Sequence, residues 1–106
     1  MSSQVIIFVR RIFMVSKKIT LSLPKGIHAK PASEIINYLR HSKCIIQMEY
    51  NGKVANCKSI ISLLALAVKK EAEVEISVRS ENENEDEEKV LNDFINFLEE
   101  LFKKDV

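Results

Sequence analysis

Residues 44–57 read "CIIQMEYNGKVANC", and this stretch decides how the chain folds. Asn51-Gly52 at its centre is the pair preferred in a two-residue type I′ turn, where both positions need positive φ. Apolar-rich arms flank it, so the stretch predicts an antiparallel hairpin. Outward from it, residues 17–23 alternate Ile19, Leu21 and Leu23 with Lys18, Thr20 and Ser22. Residues 73–79, "EVEISVR", do the same and turn Val74, Ile76 and Val78 inward. A period of two marks a strand with one buried face and one wet face.

Three helical stripes fill the gaps between these strands. Ala32, Ile35, Ile36 and Leu39 recur at helical spacing, with Pro31 in the first turn, where a missing N–H costs little. Arg40, His41 and Lys43 gather at the far end, where cations complement the carbonyl-rich terminus. That reading makes His41 a surface residue facing the dipole. Ser59 serves as N-cap of a short apolar helix over 60–68. A last helix over about 85–102 carries Val90, Leu91, Phe94, Ile95, Leu98, Leu101 and Phe102, with acids at its start and Lys103-Lys104 at its end. The order is β-α-β-β-α-β-α. Half-wet strands favour an antiparallel sheet with the helices on its other face. The expected fold is therefore α+β: a two-layer open-faced sandwich, with a four-stranded antiparallel sheet and three helices on one face.

The chain has 106 residues, 46% hydrophobic and 29% charged, with formal net charge +1. That is one domain, with no global charge demanding nucleic acid or membrane. No apolar run approaches the length of a membrane span, so no membrane insertion is expected. Residues 14–106 form the expected domain, preceded by an extension at 1–13; Met14 stands just before the first clear strand and is a candidate start. The acidic run "ENENEDEE" at 81–88 reads as a solvated loop and helix start. Cys44 and Cys57 show no metal-ligand spacing and read as reduced residues in or near the core of a cytoplasmic protein. A disulfide between them is the alternative.

The chemistry concentrates in "GIHAKPA", residues 26–32. His28 lies where the turn Pro24-Lys25-Gly26 gives way to a helix. The first turn of a helix has free N–H groups that attract anions; here Ala29 and Lys30 supply them, and Lys30 adds a full positive charge. Histidine is partly neutral and nucleophilic at neutral pH, so the corner can hold a phosphoryl group on nitrogen. No metal or other cofactor is called for. A plain, solvated cap is the competing reading of His28.

"GIHAKPA" closely resembles the active-site motif of HPr, the histidine-containing phosphocarrier of the bacterial phosphoenolpyruvate:sugar phosphotransferase system. The resemblance covers residues 15–102 and includes the element order, the "EYNGK" hairpin and "KSI" at 58–60. The interval from His28 to Ser59 agrees without a gap. It implies a carrier rather than an enzyme, monomeric, with His28 phosphorylated on Nδ1. Enzyme I would be the donor and sugar-specific IIA domains the acceptors. Lys30 stands where the family usually has arginine and would steady the phosphate as a point charge instead of a planar fork. Ser59 matches the serine phosphorylated by a dedicated kinase in some relatives; a phosphorylase would reverse it. Ile60, Ile61 and Leu64 match an exposed docking patch, ringed here by Lys25, Lys30 and Lys58. Ala67 and Glu71 replace frequent glycines, so the helix exit is expected to turn less tightly.

Two rivals remain. One is a regulatory relative, a nitrogen-branch carrier or coregulator, acting through partner binding. The other is an unrelated interaction domain, possibly nucleic-acid binding, though the strands lack the basic and aromatic residues that a sheet reader of RNA would show.

Overall fold

The Asn-Gly turn forms as its chemistry requires: Asn51 and Gly52 have φ of 56° and 80°. The structure, a computed structural model, describes residues 13–80 and 86–104. Its elements are β1 (Phe13–Ser22), α1 (Ala29–Leu39), β2 (Ile45–Tyr50), β3 (Lys53–Asn56), α2 (Ile60–Ala65), β4 (Glu71–Ser80) and α3 (Glu87–Lys104). The extension before Phe13 and residues 81–85 of the acidic run lie outside the described residues.

The four strands make one antiparallel sheet in the order β1-β4-β2-β3. β4 runs through the middle, pairing Val74 with Ile19 on one side and Ile76 with Met48 on the other. Its alternation is clean: Ala72, Val74, Ile76 and Val78 are buried, and Glu71 and Glu73 are exposed. The helices cover the buried face. α3 lies on β1 and β4, α2 on β3, and α1 packs against α2 and α3. Phe94 and Leu98 of α3, Ile35 and Leu39 of α1 and Leu63 of α2 meet the sheet in one core. Each such side chain contributes roughly 1.5–3 kcal/mol by leaving water. Tyr38 of α1 stacks on Phe97 of α3, with ring centroids 4.1 Å apart.

Several boundaries differ from those the sequence suggests. β1 begins at Phe13, so Met14 lies inside the strand, opposite Arg79, rather than before it. Lys17 sits on the inward row opposite Ile76 yet is exposed, because β1 is an edge strand. α1 ends at Leu39 with Arg40 as its C-cap, so His41 and Lys43 fall beyond the last turn rather than within it. His41 is exposed. α3 starts at Glu87 and runs to Lys104. Both cysteines are buried and neither is in a disulfide, which removes the disulfide alternative. Burial pushes the Cys57 thiol up to about 12, so it stays protonated and unreactive at neutral pH.

The largest departure is at the end of α2, which stops at Ala65 instead of reaching Val68. The N–H groups of Leu66 and Ala67 fold back onto Leu63 and Leu64 carbonyls. Ala67 then takes φ of +53°. The exit is therefore as tight as a glycine would make it, contrary to the looser turn expected from losing glycine here. A β-carbon in the left-handed region costs roughly 1–2 kcal/mol. Ala67→Gly is expected to raise stability by about 1 kcal/mol, read as a higher urea midpoint at unchanged slope; an unchanged or lower midpoint would show that Ala67 bears no strain.

Candidate functional site

The corner between β1 and α1 is built by short-range rules. Gly26 closes the turn after Pro24-Lys25 with φ of +68°, and its N–H donates to the Leu23 carbonyl at 2.9 Å. Ile27 is buried and ties the chain to the core. His28 then occupies the N-cap position of α1 with extended backbone, φ −107° and ψ −173°. Its carbonyl accepts the first helical hydrogen bond, from Ala32 N–H at 3.0 Å. Its side chain makes no capping hydrogen bond, so the imidazole is not spent as a cap. The ring is half-buried, at the surface rather than in the core.

Ala29, Lys30 and Pro31 make up the first three helical positions. Pro31 has no N–H, so beyond the N-cap residue the donors that a helix start leaves without an intrahelical acceptor are those of Ala29 and Lys30. Both residues are exposed. Pro31 and Ala32 are buried and hold the turn against the core. Lys30 also lines a shallow depression of about 150 Å³ with Pro31, Glu34, Leu101 and Lys104. The end of α3 thus brings a second lysine to the depression that Lys30 lines, a placement that no spacing in the sequence encodes.

α2 presents the second group of expected residues. Ile61 is 77% exposed, with Ile60 at 36% and Leu64 at 39%, whereas Leu63 is fully buried and Leu66 nearly so. The helix thus divides as expected into an apolar outer face and a core face. Ser59 is the N-cap of α2, and its hydroxyl accepts from Ser62 N–H at 3.2 Å. Ser62 Oγ in turn accepts from Asn56 N–H at 2.9 Å, and Asn56 Oδ1 accepts from Lys58 N–H at 2.9 Å. Lys58 does not stand free beside the patch: its ammonium donates to the Ser42 carbonyl at 2.6 Å. Lys58 keeps its charge but is held at that carbonyl, while Lys25 and Lys30 are exposed.

The model of one protein family, described as "PTS HPr component phosphorylation site", matches residues 15–100. The chain belongs to the HPr family. Among solved structures, HPr from Bacillus anthracis is 28% identical with a TM-score of 0.68, over 80% of this chain and 96% of that one. HPr-C-His from Thermoanaerobacter tengcongensis is 25% identical with a TM-score of 0.72, over 87% and 99%. Crh, a Bacillus subtilis catabolite-repression protein whose structure shows a swapped domain in a dimer, is 29% identical with a TM-score of 0.61, over 82% and 95%. The sheet and three helices expected from the sequence are the HPr fold, and the family is that of the phosphocarriers of the phosphotransferase system. Among the described residues no helix is long and apolar enough to cross a membrane.

In this HPr relative the N-cap bond of Ser59 is the chief local tie at the start of α2, a helix of only six residues. Ser59→Ala should lower stability by about 1 kcal/mol, measured by urea unfolding. A loss below about 0.3 kcal/mol would mean that Ser62 and Asn56 hold the turn without it.

Proposed function

We propose that this chain carries a phosphoryl group on His28 Nδ1, taken from phosphorylated enzyme I and handed to sugar-specific IIA domains. The observation that carries this reading is the placement of His28. It is a half-buried residue at the N-cap position of α1, directly ahead of the Ala29 and Lys30 N–H groups. In the forward step the Nδ1 lone pair forms the N–P bond while the bond from phosphorus to enzyme I breaks. In the next step that N–P bond breaks as the IIA nucleophile bonds to phosphorus. The two amides and the positive end of the α1 dipole stabilise the phosphoryl oxygens in both steps.

Lys30 supports the same charge from the first turn of the helix. As a point charge it attracts the phosphate without fixing its orientation, unlike the forked guanidinium usual in the family. Ile60, Ile61 and Leu64 serve as the apolar docking surface. An exposed apolar patch with lysines nearby suits partners whose surfaces are apolar and acidic. Ser59 is the site at which a kinase would add regulatory charge beside that patch.

The likeness to Crh, as high in identity as that to HPr, favours one second reading: a regulator that works through partner binding rather than transport. The two separate in one assay. Incubation with enzyme I, Mg²⁺ and phosphoenolpyruvate should give an acid-labile, base-stable phosphate that is absent from His28→Ala. Label persisting in the variant would remove His28 from the role, and unlabelled wild type would favour the regulator. In the same assay Lys30→Arg should transfer at least as fast as wild type. Lys30→Glu should be slower by about tenfold or more, and wild-type speed in that variant would take side-chain charge out of the mechanism.

A further inference from the structure

The peptide that leaves α2 lies against the peptide that leads into α1. A β-carbon built on Gly26 would stand 2.7 Å from the Val68 carbonyl oxygen, a separation at which something must shift. Beside it, the Leu23 N–H, three residues before Gly26, donates to the Lys70 carbonyl, two residues after Val68, at 2.6 Å. The Val68 carbonyl is delivered to that spot by Ala67, whose left-handed backbone ends α2 abruptly. Both sides of the contact are backbone, so no side chain can rotate away to relieve a change.

Only Ile27 separates Gly26 from His28, so their α-carbons are at most about 7 Å apart. Ile27 is buried and Val68 is too, which leaves this short segment little room to absorb a displacement. A movement of the α2 exit is therefore passed to the histidine. Ala67, where the chain leaves α2, follows Leu64, the last residue of the exposed patch, by three residues.

We propose that the Gly26–Val68 contact is a brace that sets the position of the His28 imidazole, with Gly26 and Ala67 as positioning residues. The brace couples α2, the helix bearing the docking patch, to the phosphoryl-accepting ring. Its relevance to transfer rests on the phosphocarrier reading above. The contact itself does not.

The test uses the full chain, unphosphorylated and in transfer. Gly26→Ala should shift the His28 ring cross-peaks in ¹H–¹³C spectra. It should also lower kcat for phosphoryl transfer from enzyme I by about tenfold or more, with KM changed less than about twofold. Ala67→Val disfavours positive φ, lies outside the site, and should move the same cross-peaks and lower kcat in the same way. Ala67→Gly, which keeps the left-handed turn, should leave ring and rate as in wild type. Unmoved His28 cross-peaks in Ala67→Val would overturn the brace, even if Gly26→Ala fails to fold. So would a higher KM at unchanged kcat, which would make the contact part of docking. If wild type accepts no phosphate from enzyme I, the phosphocarrier reading fails, while the ring spectra still decide the brace.

Discussion

Two backbone contacts hold the functional corner: Gly26 against the Val68 carbonyl, and Leu23 N–H on the Lys70 carbonyl. They join the turn after β1 to the loop before β4, two segments more than forty residues apart in sequence but neighbours because β1 and β4 pair along their whole length. Gly26 is the residue that permits this. Its positive φ reverses the chain, and its missing side chain lets the two backbones touch. From that fixed point the chain has only Ile27 to cross before it reaches His28 and the start of α1. His28 is thus joined to the sheet through short connections.

That placement suits reversible transfer. Backbone amides and a helix dipole offer donors that need no reorganisation as charge arrives and leaves. Because Pro31 takes the third helical position without an N–H, the donors are few and lie next to the ring. A deep pocket would hold a phosphoryl group too tightly to hand on. His28 is instead half-buried beside the exposed Ala29 and Lys30, and Lys30 lines only a shallow depression, which leaves room for a partner to approach. Replacing the usual arginine by Lys30 keeps the charge and gives up the planar grip. Lys104, on the same depression, adds positive potential on that side.

Much of this was legible in the sequence wherever a local rule has one solution. Asn-Gly between apolar arms can hardly be anything but a hairpin, and both residues do take positive φ. The α3 stripe followed from helical spacing, whereas the split of α2 into Ile61 outside and Leu63 inside followed from the resemblance to HPr. Legibility ended where tertiary context decides. Lys17 breaks the apolar row of β1, which hid the strand's true start, because an edge strand lets an inward-row lysine reach water. The end of α2 was hidden for another reason. "LLALAV" continues without a breaker, yet Ala67 takes a glycine's conformation. The place of Lys104 on the same depression as Lys30, and the hold of Ser42 on Lys58, bring distant segments together, which no spacing in the sequence encodes.

The central claim is that the Ala29 and Lys30 amides receive the phosphoryl group carried by His28. Amide spectra of the ¹⁵N-labelled protein before and after phosphorylation test it most directly. The account predicts downfield shifts concentrated at Ala29 and Lys30, together with phosphorus–nitrogen coupling at His28 Nδ1. Coupling at His41 instead, or phosphorylation of His28 that leaves those two amides unmoved, would contradict it.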